Sequence, residues 1–120
     1  MAARFAELVV DSREPERLAE FWVQALGWAP TGRYPAPACE IADPTSSRPS
    51  ITFVPNGERK AAKNRLHIDL VPEGTSQQHE VERLISLGAT RVDIGQGERS
   101  WVVLADPEGN EFCVLAAYSD

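Results

Sequence analysis

The chain has 120 residues, 42% apolar and 25% charged, which fits one globular domain able to bury a core without staples. A formal net charge of -6 and a pI near 4.9 set it against nucleic acid and anionic membrane surfaces, both of which repel such a surface on average. Two cysteines, Cys39 and Cys113, far apart and without a CxxC pair, exclude a disulfide framework and a zinc-knuckle spacing.

The N-terminal stretch MAARFAELVV lacks the basic start, long apolar run and small-residue cleavage site of a secretory signal, and nowhere do 18 apolar residues run together. A cytoplasmic protein without a membrane partner is expected. Residues 5 to 10 (FAELVV) then read as a strand, and Ser12 to Pro15 supply a turn with proline at a first helical position. PERLAEFWVQALG follows, placing Leu18, Phe21, Trp22, Ala25 and Leu26 on one helical stripe that Gly27 ends. Trp22 and Trp28 read as packing residues of this helix and its exit. Strand-like pieces come next, at about 31 to 35, 38 to 42 and 50 to 54, with DPTSSRPS (43 to 50) and NGERKAAKN (56 to 64) as loops.

The same order then returns about 60 residues later. RLHIDLV is a strand, PEGTSQQ a turn with Thr75 or Ser76 as cap, and Val81, Leu84 and Ile85 form a helical stripe that ends at Leu87-Gly88, with His79 exposed near its start. Further strands are expected at about 90 to 94, 100 to 105 and 111 to 117, the last aimed by a turn at DPEGN, where Gly109 or Asn110 tolerates a positive backbone angle. Each half is therefore βαβββ, an α+β arrangement in which two sheets can share a concavity while the helices cover the outer faces.

Pleat parity predicts which side chains face inward, because successive strand residues point to opposite sides. Leu66, Ile68 and Leu70 go with the helix, leaving Arg65, His67 and Asp69 on the other face; an offset of 60 sets Glu7 against His67, with Ala6, Leu8 and Val10 toward the helix. In the last strand Phe112 and Val114 join the core, and Glu111, Cys113 and Leu115 share the opposite face.

The repeat, together with EPERLAEFWVQALGW (14 to 28), KNRLHIDL (63 to 70) and DPEGNEFCVL (106 to 115), resembles the glyoxalase-like branch of the vicinal oxygen chelate superfamily, which includes bleomycin-resistance proteins and extradiol dioxygenases. The likeness runs over nearly the whole chain. It implies a single domain over 1-120 built as a cupped open barrel, with one module at about 1-56, a linker at about 57-63 and a second module at about 64-120, and a homodimer. It also implies a divalent metal in the cup, zinc, nickel, manganese or iron, held by residues of the first and last strands of the modules and binding vicinal oxygens of a small-molecule substrate. Carried over, those positions fall on Glu7, His67 and Cys113. The sequence departs from the family at Cys113, where a carboxylate is usual, and within ITFV (51 to 54), which offers no carboxylate or imidazole.

Each residue also has a plainer reading. His67 can be a hydrogen-bonded pocket histidine, Cys113 a small buried hydrophobe, and Glu7 a partner of Arg65 on the same face, which would require no metal. Asp69 and Glu111 are the candidate proton-moving carboxylates, although a solvated or arginine-paired carboxylate explains Asp69 as well. Arg65, Trp101, Phe53 and Tyr34 are the candidate ligand-binding residues, the aromatic ones as walls for a flat molecule. No GxGxxG, P-loop, GxSxG or HExxH is present, so nucleotide binding by those modes and serine or zincin hydrolysis have no support.

Two functions remain open at this point. One is a metal-dependent lyase or isomerase acting on a carbonyl or vicinal-oxygen substrate; the other is a metal-free protein that binds and sequesters a small polar molecule, as the bleomycin-resistance relatives do.

Overall fold

Gly27 adopts φ 71°, a left-handed conformation that costs glycine nothing, and its amide bonds back to the carbonyl of Val23, so helix α1 (Pro15–Leu26) stops where the periodicity places its end. Pro15 opens the helix, where its missing N–H is no loss. A computed structural model describes residues 1–93 and 100–116. The chain divides into two compact units, Met1–Arg59 and Lys60–Asp120.

In the first unit α1 is preceded by β1 (Glu7–Ser12) and followed by β2 (Ala29–Pro30), β3 (Cys39–Asp43) and β4 (Ser46–Pro55). Their order across the sheet is β1-β4-β3-β2, with β1 parallel to β4 and the other pairs antiparallel. Leu8 stands beside Ile51 and Val10 beside Phe53, while Cys39 pairs with Phe53 and Ile41 with Ile51. These residues share the face against which Leu18, Ala19, Phe21, Trp22 and Ala25 of α1 are buried.

The second unit repeats this plan with β5 (Ile68–Leu70), α2 (Gln77–Leu87), β6 (Thr90–Arg91), β7 (Val102–Ala105) and β8 (Glu111–Val114), in the order β5-β8-β7-β6. Again the first and last strands are parallel, with Ile68 beside Phe112 and Leu70 beside Val114. Val81 and Leu84 of α2 are buried together with Leu104, Phe112 and Val114. Ser76 is the cap of α2, its hydroxyl accepting from the His79 amide. The βαβββ expectation thus holds for both halves.

Several local expectations are corrected. Only 68 to 70 of the segment 64 to 71 is strand, because β8 pairs with it through no more than three residues. Leu66 therefore lies outside the sheet and is 79% exposed, not packed on a helix. Ala6 is likewise exposed, and Ile85 sits at the edge of its stripe. The segment 43 to 50 is not a loop: the turn is confined to Pro44 and Thr45, where the Asp43 carboxylate accepts from the Thr45 amide and hydroxyl, and β4 starts at Ser46. Pro49 is tolerated there because β1 pairing begins only at Ser50 and the β3 register shifts between Ile41 and Asp43. The expected strand at 31 to 35 is replaced by the two-residue β2 just before it. Residue 94, and residue 117 at the end of the last expected strand, fall outside the described residues.

Phe53, a sequence candidate for a ligand wall, is 1% exposed and faces α1, so it is a core residue of the first unit. Phe53→Ala should lower the unfolding free energy in urea by about 3–5 kcal/mol. Leu66→Ser should stay within about 0.5 kcal/mol of the parent in the same measurement.

Candidate functional site

On the face of the second sheet opposite the core, parallel pairing sets Asp69 beside Cys113. His67 stands just before β5, and its ring lies beside Asp69. His67 Nε2 is 3.2 Å from Asp69 Oδ1, and ligand atoms of His67, Asp69 and Cys113 all lie within 4.8 Å of one another. This is the one such group of three among the described residues. His67 and Asp69 are exposed, whereas Cys113 is 4% exposed. Burial pushes the Cys113 thiol up, and the neighbouring charge of Asp69 and a hydrogen bond to it add to the effect against a smaller opposing influence of Lys63.

The donor set has the chemistry of a metal site. An imidazole, a carboxylate and a thiolate are the side chains that bind zinc, and three protein ligands leave a position open to an exogenous molecule. Two donors at about 2.1 Å from one tetrahedral ion stand roughly 3.4 Å apart. The His67–Asp69 separation already matches that edge.

Glu111 belongs to a different structure. Its Oε1 accepts from the Asn64 amide at 2.8 Å and its Oε2 from Lys60 Nζ, so both oxygens are engaged and the carboxylate holds the 60 to 64 segment to the start of β8. Burial pushes the Glu111 carboxyl up, but the bonds from Lys60 and the Asn64 amide outweigh it and hold the group below the ordinary glutamate range. Beside it, buried Asp106 accepts from the amides of Glu108 and Asn110 and from Asn110 Nδ2, while Asn110 Oδ1 accepts from Asn64 Nδ2. The DPEGN segment is thus the expected turn, and Gly109 with φ 90° is the residue that needs the positive angle.

In the first unit Glu7 Oε1 accepts from the Thr52 hydroxyl at 2.5 Å and Oε2 from the Tyr34 hydroxyl at 3.2 Å. Partial burial and the adjacent Glu7 push the Tyr34 phenol up. Thr52 pairs with Val9 as Cys113 pairs with Asp69, so it occupies the equivalent place in the repeat. Arg65 is exposed, and Trp101 is partly exposed at the entry to β7.

Sequence reasoning missed Glu40. It is 2% exposed, and its carboxylate takes four bonds: from Thr31 Oγ1 (2.6 Å) and Arg33 Nε (2.8 Å) on one oxygen, and from Ser50 Oγ (2.7 Å) and Arg48 Nη1 (3.1 Å) on the other. The reasoning that singled out Glu7, a carboxylate within an apolar strand, applies equally to the run CEIAD. Burial pushes Glu40 up, but the hydroxyls and guanidiniums together hold it below the usual range.

The model of the glyoxalase-like domain family matches residues 7–115. The chain belongs to the glyoxalase-like domain family. Solved structures agree on the fold of this family, that of the vicinal oxygen chelate superfamily. A glyoxalase/bleomycin resistance protein/dioxygenase family enzyme from Burkholderia phytofirmans PsJN aligns with a TM-score of 0.72 at 17% identity, over 93% of this chain and 97% of its own. An E126Q mutant of the fosfomycin resistance protein FosX from Listeria monocytogenes, complexed with Mn(II) and 1S,2S-dihydroxypropylphosphonic acid, aligns with 0.68 at 12% identity, over 98% and 93%. TnmS3, an antibiotic binding protein from Streptomyces sp. CB03234, aligns with 0.62 at 15% identity, over 98% of both chains. No curated protein matches the chain significantly in sequence. Among the described residues of this family member, no helix is long and apolar enough to cross a membrane.

The Lys60–Glu111 pair sets a pH dependence. A carboxyl whose folded value is depressed contributes stability above the ordinary glutamate value of 4.5, and that contribution is lost as pH falls through the folded value. Lys60→Met should therefore cost about 1.5–3 kcal/mol at neutral pH, with the difference from the parent shrinking as the pH drops below 4.5, as followed by denaturant unfolding across a pH series.

Proposed function

We propose that the protein binds a small polar, oxygen-bearing molecule at the His67, Asp69 and Cys113 face, with a divalent ion held by these three side chains. The observation that carries this reading is the convergence of imidazole, carboxylate and thiol within 4.8 Å on one polar sheet face. When bound there, the ion supplies Lewis-acid polarisation of a carbonyl or a vicinal diol. His67 and Asp69 are open to solvent and approach a ligand directly, whereas Cys113 contributes from beneath, in the sheet. With Nε2 and Oδ1 as ligand atoms, the second Asp69 oxygen would stay free to take up a proton released near it. Lyase or isomerase chemistry on a vicinal-oxygen substrate is the activity this arrangement suits.

A second reading has its own support: the Cys113 thiol is pushed toward its protonated form, in which it donates to Asp69 and binds no ion. In that state the cluster is a polar patch that receives a ligand by hydrogen bonding, in a binding and sequestering protein without metal. FosX, complexed with Mn(II) and 1S,2S-dihydroxypropylphosphonic acid, and TnmS3, an antibiotic binding protein, are similar in fold to this chain. The acidic composition suits a cytoplasmic protein without a nucleic-acid partner, and the homodimer implied by the sequence resemblance belongs to the same proposal; light scattering reads it directly.

Titration of chelator-treated protein with zinc, nickel, manganese and iron(II) separates the readings. On the metal reading one equivalent binds saturably and raises Tm, and His67→Ala, Asp69→Asn and Cys113→Ser each weaken binding by at least the roughly 10–100-fold that loss of a metal site's outer partners costs. With cobalt(II), Cys113→Ser should also remove the thiolate charge-transfer band. Absence of saturable binding for all four ions sinks the metal reading and leaves the metal-free one.

A further inference from the structure

We propose that Arg33 and Arg48 of the first unit form a binding site for a small oxyanion, a carboxylate- or phosphate-type group, with Glu40 as the buried post that positions them. This goes beyond the function proposed above and rests on residues of the first unit alone.

The geometry begins with the polar face of the first sheet. Arg48, Ser50 and Thr52 alternate along β4 and so point the same way, and Glu40 on β3 is paired with Thr52. Arg33 comes from the connection after β2, which Thr31 ties back to β3 through its amide on the Glu40 carbonyl at 2.9 Å. The Thr31 hydroxyl in turn accepts from the Arg33 amide at 3.2 Å. Two guanidiniums from different parts of the chain are thus brought to the two oxygens of one carboxylate.

How they engage it is informative. An arginine serving only as a counter-ion gains most from the two-pronged fork, in which two parallel N–H groups meet both carboxylate oxygens. Neither arginine does this. Arg33 uses Nε alone, and Arg48 uses Nη1 alone, for Glu40, Ser50 Oγ at 3.0 Å and the Ala6 carbonyl at 3.4 Å. Both Nη groups of Arg33, and Nε and Nη2 of Arg48, have no protein acceptor among the described residues. The side chains are 45% and 32% exposed, so these donors are reachable from solvent.

Glu40 itself offers nothing further to a ligand, since each oxygen already accepts from one hydroxyl and one guanidinium. Burying a carboxylate is unfavourable, and here two hydroxyls and two guanidiniums offset it. The second arginine is balanced by Glu7, whose carboxylate lies on the same face and accepts from Thr52, so two guanidiniums stand with two carboxylates. Unspent planar donors on two arginines, held from below by Glu40, suit a small oxyanion.

The test titrates wild-type protein with inorganic phosphate and, separately, with acetate, against sodium chloride at equal ionic strength, following the arginine Nε–Hε resonances by NMR and heat by calorimetry. Saturable shifts of the Arg33 and Arg48 resonances with either anion support the site, and the two arms show which oxyanion geometry it prefers. Arg33→Met, which leaves Glu40 three of its four partners, should weaken binding by about tenfold, and Arg33→Lys should fall between it and wild type. Binding should be unchanged in His67→Ala, so failure here and failure of the metal reading are distinguishable. No saturable response beyond that of chloride, or shifts confined to other residues, overturns the proposal.

Discussion

In each unit the first strand is laid parallel against the last, β1 on β4 and β5 on β8, and nearly everything chemical in the molecule depends on that pairing. Parallel neighbours in register carry their side chains on the same side, so one choice of register sends an apolar set to the helix and a polar set to the opposite face. Leu8, Val10, Ile51 and Phe53 are on one side and Glu7, Ser50 and Thr52 on the other; Ile68, Leu70, Phe112 and Val114 oppose Asp69 and Cys113. A slip of one residue would exchange the two sets and place carboxylates against a helix. The hydrophobic term therefore holds the polar residues in place although they contribute little to it.

The duplicated scaffold carries different chemistry in its two copies. Thr52 in the first unit stands where Cys113 stands in the second, and Glu40, paired with Thr52, stands where Val103, paired with Cys113, stands. One unit thereby accumulates hydroxyls, carboxylates and guanidiniums that bond to one another, with guanidinium donors left over. The other keeps an imidazole, a carboxylate and a thiol that are only partly engaged. The same strand order accommodates both because strand ladders make no demand on side chains.

Among the described residues the buried carboxylates Glu40, Asp106 and Glu111 are each held by several hydrogen-bond donors. Glu40 and Glu111 are enclosed, and each is held ionised by cations and hydrogen-bond donors that offset its loss of hydration. Their work is positional: Glu40 aims two arginines, and Glu111 with Lys60 and Asn64 ties the segment before β5 to the strand beside it. Asp69, beside His67 and Cys113 with half its side chain in solvent, is less fully engaged than Glu40 or Glu111.

Local sequence determined much of the architecture. The stripe from Leu18 to Ala25 with Gly27 behind it, the Ser76 cap, the DPEGN turn and the near-60 offset are short-range signals, and short-range signals set helix ends, turns and the repeat. Alternation around His67 likewise placed it with Asp69 and, through the last strand, with Cys113. Only tertiary structure decided how far each strand runs, since Leu66 and His67 continue the alternation of β5 but β8 offers them no partner. It also decided what each polar group touches. Phe53 reads as readily as a wall as a core residue, Glu111 as a base or an anchor, and Glu40 as any strand carboxylate, until residues distant in the chain are brought beside them: Leu18 and Trp22, Lys60 and Asn64, Arg33 and Arg48. Those neighbours are chosen by strand order and register, which arise from the packing of the whole sheet and are written in no single stretch of residues.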